Sequence, residues 1–163
     1  MLHAARSLWE RIIEQDLGYD FEKAGTLEHL GDSYRDTEPE RATQYYRRLL
    51  AEHPTLSGTT ATVEIALAEV EMAKGRRADT DEALALLNSF LERGRSQFPS
   101  VLFRWHLVLI DIAQATGEAQ TVQRAARVAL DLAARGPVFS RHRDVGVVHA
   151  DRQTMRRLRR LAT

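Results

Sequence analysis

The sequence predicts an all-α protein made of consecutive helix pairs, about seven to eight helices from the periodic stretches. Three observations lead there. Apolar residues recur at i, i+3, i+4 and i+7 through most of the chain, which is the repeat of one helix face. Only 9 Gly and 4 Pro stand among 163 residues, which favours long helices over a turn-rich sheet. Alanines in corresponding places, Ala42, Ala83 and Ala125, mark a recurring second helix of a pair.

The elements follow in order. Residues 3–16 carry Ala5, Leu8, Trp9, Ile12 and Ile13 on one face, with Arg6, Glu10, Arg11 and Glu14 opposite. Gly18 ends this helix and Trp9 is expected in the core. In Leu27–Pro54, Leu27, Leu30 and Tyr34 stripe a first helix and Ala42, Tyr46 and Leu49 stripe a second. Gly31 lets the second helix come close, and Ala42 is small for the same reason. Thr37 and Glu40 read as a capping box around Pro39, which sits in the first turn where no amide donor is lost.

This stretch resembles a tetratricopeptide repeat (TPR). Leu27 stands where that family usually has Trp, followed by Leu30-Gly31, Tyr34, Ala42, Tyr46 and the closing Pro54. The corresponding alanines lie farther apart than the 34 residues of a regular TPR, so the resemblance is to a TPR-like array rather than a regular one. It implies a right-handed array of antiparallel helix pairs over residues 1–136, and a groove lined by the first helix of each pair.

A helix over about 60–74 is expected to bury Val63, Leu67, Val70 and Ala66 or Ala73, with Glu64, Glu69 and Glu71 wet. Gly75 closes it, and Asp79 with Glu82 suggests a second capping box. That box opens a helix striped by Ala83, Leu84, Leu87, Phe90 and Leu91. From Pro99, the run VLFRWHLVLIDIA is apolar nearly all round, so neighbours should enclose it on several sides. Gly117 breaks it from a helix over about 118–135 with Val122, Ala125, Ala126, Ala129, Leu130 and Leu132. Residues 137–163 form an Arg-rich tail: a short extended piece at Val145–Val148, then a capping helix that opens at Asp151 and is striped by Met155, Leu158 and Leu161 or Ala162.

Charge is distributed unevenly. The net charge is zero, yet residues 135–163 hold eight Arg against Asp144 and Asp151. Cysteine is absent, which excludes disulfides and thiolate metal sites. No apolar run is long enough for a membrane span, and the first fifteen residues mix charge into apolar sequence unlike a secretory signal. A cytoplasmic location is the expectation. The chain has no G-x-S-x-G, no P-loop, no Rossmann glycine pattern and no H-E-x-x-H. His29 and His53 read as surface residues and His106 as a partly buried neighbour of Trp105. No catalytic residue, metal site or cofactor is expected.

The function that follows is protein–protein interaction, as an adaptor or regulatory scaffold that grips a peptide or helix of a partner. The resemblance places Glu28, Asp32 and Arg35 on the groove side of the first pair. Arg104, His106 and Asp111 are the polar interruptions of the apolar helix. An alternative is association with nucleic acid through Arg152, Arg156, Arg157, Arg159 and Arg160. Self-association would follow if the apolar helix exceeded what one chain can cover.

Overall fold

A computed structural model describes residues 2–94 and 98–163. The described residues form eight α-helices and no strand: α1 (Leu2–Glu14), α2 (Asp20–Tyr34), α3 (Pro39–Glu52), α4 (Val63–Lys74), α5 (Arg77–Glu92), α6 (Pro99–Thr116), α7 (Ala119–Ala133) and α8 (Arg152–Leu161). Each helix packs on its neighbours in the chain, and α4 also meets α6.

Helix boundaries depend on backbone chemistry, and two of the expected caps fall elsewhere. Proline disfavours helical geometry in the residue before it, so Glu38 (φ −142°, ψ 70°) is the residue outside α3 rather than Thr37. Thr37 instead closes the end of α2, its N–H donating to the Tyr34 carbonyl at 3.1 Å. Asp79 does not cap α5 either. Left-handed Gly75 turns the chain directly into a helix starting at Arg77, so Asp79 lies in its first turn and pairs with Arg76 at 2.7 Å. Asp151 does cap α8, accepting from the Gln153 and Thr154 amides at 2.7 and 2.8 Å. The expected extended piece at Val145–Val148 is a turn at its start. Gly146 has φ +75° there, and its carbonyl accepts from the Ser100 amide at 3.0 Å, tying the tail to the start of α6.

The core is divided into three successive blocks. The first joins α1 to α4 through Ile13, Leu27, Leu30, Tyr34, Ala42, Tyr46, Leu49 and the Val63, Leu67, Val70 face of α4. The second takes the other side of α4 (Ile65, Ala68), with Ala83, Leu87 and Phe90 of α5 and Trp105, Val108 and Ile112 of α6. The third takes the remaining side of α6 (Phe103, Ile110, Ala113), with Val122, Ala125, Ala126, Ala129 and Leu132 of α7 and Leu158 of α8. Consecutive blocks share a helix, α4 between the first two and α6 between the last two. In the third, Met155 and Leu161 of α8 and Ala162 just after it pack beside Leu158, covering the outer face of α7.

Sharing α4 and α6 between blocks has a consequence for polar residues. Glu64 and Glu71, expected wet, are buried, because core blocks cover both sides of α4; Ala73, near its end, is exposed. Glu69 is half-buried. Leu84 and Leu91 lie at the margin of the α5 stripe and are exposed, while Ala83, Leu87 and Phe90 are fully enclosed. Trp9 is half-buried against the first block, its ring stacked on exposed His29 with centroids 5.3 Å apart.

Candidate partner-binding groove

The α2 sequence fixes the first wall of the groove. Leu27, Leu30 and Tyr34 turn inward, so Glu28, Asp32 and Arg35, four and three residues apart, share the neighbouring face. Gly31 determines how close α3 comes: a Cβ there would run into the Tyr46 ring. This approach carries the Tyr46 hydroxyl to Asp32, to which it donates at 2.6 Å. Burial first, and then that carboxylate, hold the Tyr46 phenol neutral by raising its pKa well above the ordinary tyrosine value.

The connection from α3 to α4 closes one end. Leu56 anchors it in the first block, and Gly58 (φ +82°) lies so close to the Phe21 carbonyl that no side chain fits. Thr60 is thereby placed over α2, and its amide and hydroxyl donate to the two oxygens of Glu28 at 2.8 and 2.6 Å. Glu28 is consequently buried, a fixed part of the wall.

The opposite wall comes from α6. Arg104 reaches Glu69 of α4 with two donors, Nε and Nη2, the latter at 2.6 Å, and Arg35, at the end of α2, donates to the same carboxylate at 2.6 Å. Burial is the largest single influence and opposes the Arg104 charge, but the bond to Glu69 and the nearby negative groups together outweigh it, and the pKa ends above its ordinary value. One carboxylate therefore serves two guanidiniums. Each guanidinium carries five N–H donors, so donors remain for a ligand's carbonyl or carboxylate oxygens. Ala66, Phe98 and Val101 supply an apolar strip beside them, and the whole depression holds about 490 Å³.

Four of the six groove residues expected from the sequence, Glu28, Asp32, Arg35 and Arg104, line this one depression. The other two lie elsewhere. His106 sits edge-on to Trp105 with ring centroids 4.9 Å apart, and burial lowers its pKa. Asp111 faces α8, where Arg157 donates to it and to Gln114, the latter at 2.6 Å. Of the other basic-patch residues, Arg152, Arg156, Arg159 and Arg160 are exposed. His53, expected at the surface, is buried with Nδ1 2.9 Å from Asp20.

Sequence reasoning missed Glu69, Thr60, Thr62, Phe98, Ser100 and Val101, all of which line or floor the groove. No local signal singled out Glu69: α4 carries three Glu among its apolar residues, and the pattern does not separate Glu69 from Glu64 and Glu71. Thr60 and Phe98 lie in connections, where periodicity carries no information. Among the described residues no helix is long and apolar enough to cross a membrane. Compared with models of protein families, with curated proteins and with solved structures, the chain matches none.

Proposed function

We propose that the helices form a TPR-like right-handed array of antiparallel pairs, and that the chain is a non-catalytic protein–protein interaction module. Its groove takes an extended peptide or a helix from a partner. One observation carries this reading: α2 and α6, far apart in sequence, bring Glu28, Asp32, Arg35 and Arg104 together beside an apolar strip. The volume is within the roughly 300–1,000 Å³ of binding clefts. Apolar side chains of the ligand would rest on Phe98 and Val101. Its main-chain carbonyls would take the spare donors of Arg35 and Arg104. Packing of each helix on its chain neighbours, with α4 and α6 each shared by two core blocks, supports the array.

The test is a selection of random displayed peptides on the purified chain, followed by anisotropy titration of the selected peptides. Val101→Asp places a charge in the apolar strip, and Ser100→Trp fills the depression. Both positions are half-buried, so the fold should tolerate them. Each variant should weaken binding by about tenfold or more, as loss of an interface anchor does. Peptides that bind both variants as tightly as the parent chain would overturn the assignment.

A further inference from the structure

The arginines of α8 are arranged differently from those of the groove. Successive residues of a helix turn by about 100°, which puts Arg152, Arg156, Arg159 and Arg160 within an arc of roughly 100°. All four are exposed, and the opposite side of α8 is the one that enters the third core block through Met155 and Leu158. The stripe runs for about 12 Å along the helix at 1.5 Å per residue. Beside it lies a depression of about 610 Å³ lined by Gln153, Arg156, Arg157 and Arg160, with Asp151 and Thr154 at its end. The Asp151 carboxylate is already engaged there by the Gln153 and Thr154 amides and the Thr154 hydroxyl. Elsewhere most basic side chains of the body meet a carboxylate: Lys23, Arg35, Arg41, Arg47, Lys74 and Arg104 all do so within 2.9 Å. In α8 only Arg157 is paired with a carboxylate among the described residues.

We infer that this stripe binds the phosphate backbone of double-stranded nucleic acid, independently of the groove and without reading base sequence. Three features select that ligand over other polyanions. The apolar face of α8 is already buried in the body, so the helix has none to insert into a lipid surface. No aromatic or large apolar side chain stands among the four arginines, so the patch lacks the anchors of a protein interface. For the same reason it lacks a stacking platform for the bases of single strands. A row of guanidiniums with solvent around it is suited to phosphate oxygens, which a planar donor fork matches in pairs.

The experiment is an anisotropy titration of labelled DNA and RNA duplexes with the full chain between about 50 and 200 mM salt. With four arginines on phosphates, log K should fall against log salt with a slope of about −3.6 on DNA. Replacing Arg152, Arg156, Arg159 and Arg160 by Gln should abolish binding, while the four Arg→Lys changes should keep the slope and lose part of the affinity. A melting temperature unchanged in the Gln variant shows that α8 is still docked. No duplex binding at about 50 mM salt would overturn the proposal. So would equal binding by polyglutamate, by anionic vesicles or by single strands, or a Gln variant that still binds.

Discussion

The junction of α3, α4 and α5 and the last helix use their cations in opposite ways. At the junction, Glu71 is fully buried and receives Lys74 Nζ at 2.9 and 3.0 Å and the Thr43 hydroxyl at 3.1 Å. Lys74 also donates to that hydroxyl at 2.9 Å, while Arg47 lies 3.5 Å from Glu71 and grips both oxygens of Glu82 at 2.7 and 2.8 Å. Three helices are thereby tied through two acids, Glu71 and Glu82, with Arg47 reaching both. On α8, among the described residues, Arg152, Arg156, Arg159 and Arg160 meet no carboxylate, and the helix docks through its apolar side and through Arg157. A buried carboxylate dictates where its cations must stand, because leaving it unpaired in low dielectric is costly. An exposed helix face dictates nothing, so its charges are free to serve a ligand.

If the first half is locked by specific contacts, the largest effect should come from Tyr46→Ala. It removes a fully buried ring from against Gly31 and the hydroxyl that Asp32 accepts. Chemical unfolding should show a loss of about 3–5 kcal/mol, in the range for truncation of a buried aromatic. A loss below about 1 kcal/mol would mean that α3 can collapse onto α2 without the ring, and that the Gly31–Tyr46 contact does not set their spacing.

The close approach of α3 to α2 at Gly31 was legible in the sequence, because a glycine in mid-helix leaves room for a neighbour. That the Tyr46 ring fills this room was not, since the reading assigned the near point to Ala42. The break at Gly117, the enclosure of α6 and the cap at Asp151 were legible on the same local grounds. The buried Glu64 and Glu71 were not, because periodicity assigns a helix one buried side and α4 has two. The groove was half legible. The resemblance put Glu28, Asp32 and Arg35, which lie off the packed stripe, on the groove side, and Arg104 stood out as a charge in an apolar run. Their meeting through Glu69 depends on how α4 and α6 pack. His106 and Asp111 were grouped with Arg104 because they interrupt the same helix, yet they stand two and seven residues on and face other neighbours.

The next largest effect sharpens the contrast. Lys74→Met leaves Glu71 buried with its closest cation gone and should cost about 3 kcal/mol, as breaking a buried pair does. Replacing Glu71 and Lys74 together by Met should recover most of that loss, since a packed apolar pair can equal a buried ionic one. Urea titrations of the parent, the single variant and the double variant measure both. A double variant no better than the single would show that Glu71 is needed for more than its pairing with Lys74.

The smallest effect belongs to α8, where one local contact fixes the start of a helix otherwise held by packing and by the Arg157 bonds to Asp111 and Gln114. Hydrogen bonds from Thr154 and then Gln153 hold the Asp151 carboxyl below its ordinary pKa, so the folded value lies under the unfolded one. The contribution of this cap is therefore complete above the unfolded pKa and is lost as pH falls through the folded one. Asp151→Ala should increase amide exchange over the first turn of α8 at neutral pH and leave the rates unchanged in acid, where the parent has lost the cap as well. Asp151→Asn keeps an acceptor oxygen without a titrating charge, so it should protect the turn at both pH values. Should Ala and Asn behave alike at neutral pH, the packing of Met155 and Leu158 on α7 would be sufficient to start the helix. The two ends of the comparison would then differ more sharply still: the junction held through its buried charges, and α8 by packing, with Arg157 to Asp111 as its one ion pair among the described residues.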